Sequence, residues 1–407
     1  MAISFEPTEN TRLAREHFRA MARDHMRPIS RRYDEQEHDL PTEWVDWYWK
    51  NGRSGAPKAD GPSDGFIQVC VQTEELCWGD AGLYLRTPFA GLGGSAVGAA
   101  GTKEQKERFL SVFRGDGHPV WGAMAITEPQ AGSDSANIQT TAERDGDDYV
   151  LNGTKIFCTA GEGASQVEGG FVVVWATVDK SAGRGGIKAF VVPAGTPGMT
   201  LVGLENKLGI RASDTATLTF ENCRIPAANL LGSAEVKKKK EGAGTGDKGF
   251  KGAMATFDAS RPIVAAMAVG VGRAALDALL EELAAQGVRV RYDAAPTAQT
   301  ALERDVIEME AELQAARLLT WRAAAMMNAG RPNNLEASMC KAKAGLAVTR
   351  ITQKAVEWLG PAGYSRKLLV EKWMRDAKIN DIYEGTQQIN QLIVARRILD
   401  YSSSMLR

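Results

Sequence analysis

Apolar and polar positions follow three successive textures along the chain. From about residue 8 to 118 the spacing is helical: Thr11 to Tyr33 is charged and amphipathic, and Thr102 to Phe113 repeats the pattern. Asn51 to Gly65, rich in Gly, Pro, Asp and Ser, interrupts it and predicts a loop. From about 121 to 232 the period shortens to that of strands. Phe171 to Ala176 and Lys188 to Val192 are runs of the buried-strand type, and Thr215 to Phe220 alternates, with Ala216, Leu218 and Phe220 on one face. Tyr149, Leu151, Ile156 and Cys158 flank Asn152-Gly153, which predicts a hairpin turn at that dipeptide. This zone predicts a small antiparallel barrel or sandwich. From about 256 to 400 helical spacing returns in long segments. Leu302, Val306, Met309, Leu313 and Ala316 hold one stripe, and Pro262, Pro332 and Pro361 punctuate the elements. The expected class is α+β multidomain: a helical domain over 1–120, a β-domain over 121–234, a Lys- and Gly-rich loop over 235–252 and a helical bundle over 253–407. Within that loop, Lys237 to Lys240 predicts a solvated run rather than a docking site for an acidic partner.

Composition narrows the function classes. The 407 residues, 44% apolar and 24% charged, suit two to three ordinary domains. Lys and Arg total 49 against 50 Asp and Glu, so no basic excess points to nucleic acid. The longest uncharged apolar run, Ile263 to Gly272, is half the ~20 residues of a bilayer span and ends at Arg273. The first residues lack a secretory signal. A cytoplasmic protein without a membrane span is expected. Cys70, Cys77, Cys158, Cys223 and Cys340 are scattered without a CxxC pair, so neither disulfides nor a metal site is expected. His17, His25, His38 and His118 all lie in the first third, so chemistry in the C-terminal half falls to carboxylates or a cofactor.

Two stretches carry candidate chemistry. Ala125-Ile126-Thr127-Glu128-Pro129 runs into Gln130-Ala131-Gly132-Ser133-Asp134 at the entry to the strand zone. It predicts a turn whose backbone N–H groups and hydroxyl suit a phosphate or a heteroaromatic edge. Tyr383-Glu384-Gly385-Thr386, followed by Gln387-Gln388-Ile389, places a carboxylate beside glycine in apolar surroundings. That carboxylate is either a helix-capping Glu or a strained, partly desolvated base.

Together these motifs resemble the acyl-CoA dehydrogenase family of flavoenzymes, from about residue 8 to 400. Further matches are Asn152-Gly153-Thr154-Lys155-Ile156-Phe157-Cys158-Thr159, Lys207-Leu208-Gly209-Ile210-Arg211, Cys223-Arg224-Ile225-Pro226 with Asn229-Leu230-Leu231-Gly232, and Met374-Arg375-Asp376-Ala377-Lys378-Ile379. The resemblance implies a helical N-terminal domain, a central β-domain and a C-terminal four-helix bundle. It implies FAD as cofactor, an acyl-CoA substrate oxidised to the trans-2-enoyl-CoA, and an electron-transfer flavoprotein as acceptor. An acyl-CoA oxidase using O₂ and a catalytically silent subunit are the alternatives. By position it assigns Thr127, Ser133, Phe157 and Thr159 to the flavin, and Thr386 and Gln388 to its diphosphate and adenosine. Tyr383 and Gly385 face the thioester, as does Glu384, which takes the base position, with its backbone N–H beside the enolate oxygen. Asp258 falls where the family binds the pantetheine and Arg261 where it lines the site near the base, the plainer reading of Arg261 being a buried ion pair. Some relatives carry the base immediately before that Arg; here Ser260 stands there and cannot abstract a proton.

The chain departs from the family where one subunit contributes to its neighbour's FAD. The usual Arg-x-x-Phe-Gly reads Arg289-Val290-Arg291-Tyr292-Asp293, leaving Arg289 and Tyr292 as the contacts. The Gln-x-x-Gly-Gly-x-Gly segment reads Glu357-Trp358-Leu359-Gly360-Pro361-Ala362-Gly363. Asp293 and Glu357 would face a doubly negative pyrophosphate, and Pro361 lacks a backbone N–H. Either a homotetramer or an α₂β₂ heterotetramer with a paralogue is expected.

Overall fold

Helix caps written in the sequence start the N-terminal elements. In the computed structural model, which describes residues 6–236, 248–401 and 405, Thr8 caps α1 (Glu9–Met21) by accepting from the Thr11 N–H. A π-helical turn over Ala22–Met26 joins α1 to α2 (Arg27–Glu35), so the amphipathic stretch is one run with an altered register. Then follow α3 (Thr42–Trp47), α4 (Phe66–Gly79), α5 (Ala81–Arg86), α6 (Gly91–Ala100) and α7 (Lys103–Leu110), the last opened by a capping box between Thr102 and Gln105. The lysine run 237–240 lies outside the described residues.

Seven strands form one curled sheet: β1 (Gly122–Ala125), β2 (Thr141–Asp145), β3 (Asp148–Thr159), β4 (Phe171–Thr177), β5 (Ile187–Pro193), β6 (Met199–Leu204) and β7 (Thr215–Pro226). The order is β1-β4-β2-β3-β7-β6, with β5 added to β4. Pairings are antiparallel except those of β4 with β1 and β2, which are parallel. Continuous apolar character in β4 follows from burial on both faces: Val172, Val174 and Ala176 enter one core, Phe171, Val173 and Trp175 another, shared with α6 and α7.

The hairpin expected at Asn152-Gly153 is not there. That dipeptide lies inside β3, at a β-bulge against β7. The chain reverses instead at Gly146, φ +62°, between the paired Asp145 and Asp148. Asp145-Gly146 is as strong a turn signal as Asn-Gly. At position 153, φ is +151° and a Cβ would stand 2.4 Å from Thr140 Oγ1, so the glycine serves close strand approach.

The C-terminal region is helical: α8 (Gly161–Gln166) precedes it within the β region, then come α9 (Lys248–Ala285), α10 (Ala301–Asn328), α11 (Asn334–Leu359), α12 (Pro361–Tyr364), α13 (Val370–Ala377) and α14 (Gln387–Ile398). The three long helices α9, α10 and α11 pack on one another, α14 lies on α11, and α4 lies along α9. The stripe of Val306, Met309, Leu313 and Ala316 is buried as expected. Pro262 does not punctuate the elements; it lies within α9, as do Phe257 to Arg261. Proline removes the N–H that would bond the Asp258 carbonyl, and Asn333 Nδ2 donates to that oxygen instead at 3.2 Å. One stretch of α9, Gly252–Ala285, is long and apolar enough to cross a membrane, because the helix continues through Arg273; 72% of its most apolar window is buried, as in a core helix.

A buried charge cluster joins the three regions. Lys372 of α13, with no exposed side chain, bonds Asp80 at the start of α5 (2.8 Å) and Asp376 (2.6 Å). Asp376 also accepts from the N–H of Ile210, a left-handed residue at φ +48°. Arg375 donates to the Leu208 carbonyl at 3.0 Å. The stretches 207–211 and 374–379 are therefore the two sides of one contact, and α13 leads directly to Glu384.

Candidate active site

After α13 a 3₁₀ turn over Lys378–Asp381 delivers the chain to Tyr383, Glu384 and Gly385. Glu384 and Gly385 are both left-handed, at φ +52° and +93°. The first is a strained conformation for a residue with a side chain. It redirects the backbone so that Thr386 can cap α14 by accepting from the Ile389 N–H. The capping residue is thus Thr386, leaving Glu384 for the interior, where its carboxylate accepts from Ser260 Oγ at 2.5 Å. Burial raises the Glu384 pKa above the ordinary carboxylate value, and the Ser260 hydrogen bond, Arg261 and Lys341 oppose the shift.

Ser260 and Arg261 come from the middle of α9. Arg261 is 4% exposed and bonds Asp258 at 2.8 Å, so the expected ion pair is present. Asp258 also accepts from Asn334 Nδ2 at 2.8 Å, and burial raises its pKa. Arg261 stands beside Gly385, where a Cβ would come 3.7 Å from its Nη2. Tyr383 donates towards Asn380 Oδ1 (3.2 Å) and Met267 Sδ (3.6 Å), with Tyr84 among its neighbours. Asp258, Arg261, Tyr383, Glu384 and Gly385 are therefore brought together as expected.

A second group forms at the sheet. Glu128 and Ala131 pair across the Pro129-Gln130 turn, leaving Ser133 exposed. The Glu128 carboxylate closes the loop onto the Gln139 and Thr140 N–H groups and onto Lys155 Nζ at 2.7 Å. Burial pushes Glu128 up, yet Lys155 and these donors outweigh it and hold the group below its ordinary value. The Thr127 carbonyl accepts from the Ile156 N–H at 2.9 Å, which places Thr127 next to Phe157. A register shift between Lys155 and Cys158 bulges β3 at Phe157, which is left-handed at φ +58° and 58% exposed. Thr159, half-buried, ends β3 two residues on.

Arg289 and Tyr292 are not drawn to either group. They lie between α9 and α10, where Tyr292 donates to Glu310 at 2.6 Å and Arg291 is tied to Glu303 at 2.6 Å. Pro361 opens α12, and Glu357 pairs with Lys354 at 3.0 Å. Two residues of the site went unnoticed in the sequence, Lys341 and Asn390, both donors to the Gly385 carbonyl. The only trace of Lys341 was a cation inside the α11 stripe of Ala337, Cys340, Ala344 and Val348.

Family descriptions match along almost the whole chain: the acyl-CoA dehydrogenase N-terminal domain over residues 8–114, the middle domain over 123–223 and the C-terminal domain over 247–399. The chain belongs to the acyl-CoA dehydrogenase family. Among its relatives is the mitochondrial short-chain specific acyl-CoA dehydrogenase of Rattus norvegicus, 35% identical over 403 residues, 97% of this chain and 92% of that one. A chain in the structure of the electron transferring flavoprotein of Acidaminococcus fermentans superposes with TM-score 0.84 at 32% identity, covering 98% and 100% of the two chains. Butyryl-CoA dehydrogenase from Megasphaera elsdenii gives 0.81 at 31% identity, again over 98% and 100%. Members of this oxidoreductase family use FAD. The residues of this chain fit such a group: Phe157 offers an exposed aromatic face next to Thr127 and two residues before Thr159. Near Glu384, Gln387 Oε1 and Asn390 Oδ1 are buried without a hydrogen-bond partner among the described residues.

Proposed function

We propose that the chain oxidises a short acyl-CoA thioester to the trans-2-enoyl-CoA, with Glu384 as the base. The observation that carries this reading is the Glu384 site itself: a carboxylate of raised pKa, fixed by a strained left-handed turn and held by Ser260. Desolvation makes the carboxylate a better proton acceptor near neutral pH. Its own backbone N–H is the donor for the thioester oxygen as charge develops there. FAD, when bound, supplies the two-electron acceptor for the β-hydrogen. Thr127, Phe157 and Thr159 would hold its ring system, Ser133 its pyrophosphate, and Thr386 and Gln388 its diphosphate and adenosine. Asp258 and Arg261 line the path of the thioester, each steadied by the other.

A short chain is in keeping with Met267 and Tyr84 lying against Tyr383, the residue next to Glu384. The short-chain and butyryl-CoA dehydrogenases named above support it. Similarity to the Acidaminococcus fermentans structure supports an electron-transfer flavoprotein as acceptor. A cytoplasmic location goes with this reading, α9 being buried as a core helix. For assembly, Asp293, Glu357 and Pro361 favour an α₂β₂ heterotetramer with a paralogue over a homotetramer, since a homotetramer repeats them at every flavin. Mass and FAD per chain of the singly expressed protein decide between the two. The substrate reading is tested by anaerobic titration of the holoenzyme. Butyryl-CoA should bleach the flavin absorbance at concentrations where palmitoyl-CoA does not, and the reverse order would sink the short-chain assignment.

A further inference from the structure

Lys341 sits in the apolar stripe of α11 and is 1% exposed. Burying an ammonium is costly, and burial lowers its pKa to about 8. Packing alone would be served by methionine or leucine. The Nζ donates to two carbonyls, Asn380 and Gly385, each at 2.7 Å. These oxygens stand on either side of Glu384, one where the 3₁₀ turn ends and one just past the base. Asn390, fully buried, gives the Gly385 carbonyl a second donor at 2.8 Å. The ammonium also stands 5.9 Å from the centre of the Tyr383 ring.

We propose that Lys341 is a positioning residue for the base: it ties together the two ends of the turn from Asn380 to Gly385, fixes the left-handed Glu384-Gly385 pair, and supplies a positive charge behind the carboxylate. The proposal rests on the reading of Glu384 as base. Other groups facing this pair are Arg261 and Asp258 from α9, Asp381 from the 3₁₀ turn and Tyr383 in the turn itself, with Ser260 as a neutral donor. Arg261 is already bonded to Asp258. Lys341 bonds only carbonyl oxygens among the described residues, so its charge is free to act on Glu384.

The test uses the holoenzyme with Lys341→Met, which removes donor and charge, and Lys341→Gln, which keeps a donor without charge. Two readouts separate positioning from mere stability: the pH profile of kcat, and exchange of the α-hydrogen with D₂O. The second uses an acyl-CoA analogue with sulfur in place of the β-carbon, which can lose a proton but no hydride. Lys341→Met should lower kcat and the exchange rate about tenfold or more with little change in KM. Its acid limb should move up by about one pH unit as the cation is lost. Lys341→Gln should show the same limb shift with a smaller loss of rate, and it decides the matter if the methionine variant does not fold. Unchanged exchange and an unmoved acid limb in a folded variant would overturn the proposal. A Glu384→Gln control that still exchanges the α-hydrogen would overturn the base assignment instead.

Discussion

Glu384 is under opposing influences: burial favours its protonated form, while Ser260, Arg261 and Lys341 favour the carboxylate. The net direction is upward, and its kinetic sign follows. Proton abstraction needs the ionised form, so the rate falls as pH drops through the folded-state pKa. The acid limb of the kcat/KM profile should therefore lie above the ordinary glutamate value of ~4.3. A limb at or below that value would contradict the buried-base account. Glu384 was legible in the sequence because its own neighbours, Tyr383, Gly385 and Thr386, mark the turn. Lys341 was not, because its partners are backbone carbonyls 39 and 44 residues on, which leave no trace in residue type. The sequence marks Ser260 only as a residue that cannot serve as base; its role as a donor to Glu384 depends on a helix packing that spacing does not reveal.

At the level of elements, periodicity located the strands and helices better than their ends. β4, β5 and β7 and the stripe of α10 fall where the pattern put them. The errors arose where tertiary contacts override local signals. Gly153 looked like a turn and is a bulge glycine facing Thr140, and Pro262 looked like a boundary and is carried inside α9 by Asn333. The two turn-like glycines of this region should therefore respond differently. Gly153→Ala puts a Cβ 2.4 Å from Thr140 Oγ1 and should cost about 1–3 kcal/mol of stability. Gly146→Ala, with nothing within 4 Å of the added Cβ, should cost only the left-handed backbone strain, ~1 kcal/mol. Urea unfolding of both variants checks the order, and equal losses would refute it.

Across the whole molecule, the chain is joined by buried polar contacts as much as by apolar packing. Lys372 with Asp80 and Asp376 fastens α13 to α5, and Asp376 reaches the β region at Ile210. Removing one carboxylate leaves a buried ammonium half-compensated and an N–H without its acceptor. Asp376→Ala should therefore lose about 3–5 kcal/mol, seen as a lower urea midpoint, and should loosen the approach to Glu384. A midpoint within error of the parent would show that the cluster contributes nothing to holding the regions together. The order of textures, helical, strand, helical, was plain from the sequence. The contact between residues 207–211 and 374–379 was not, since its two sides lie far apart in the chain.

The claim that Glu384 is the base of an acyl-CoA dehydrogenation is tested most directly by rapid anaerobic mixing of butyryl-CoA with the holoenzyme and with Glu384→Gln, following the flavin absorbance. The variant keeps the turn and a hydrogen-bonding side chain but cannot accept the α-proton. The parent should bleach, and the variant should bind the thioester while bleaching roughly three orders of magnitude more slowly. Bleaching of the variant at a rate near the parent's would contradict the account.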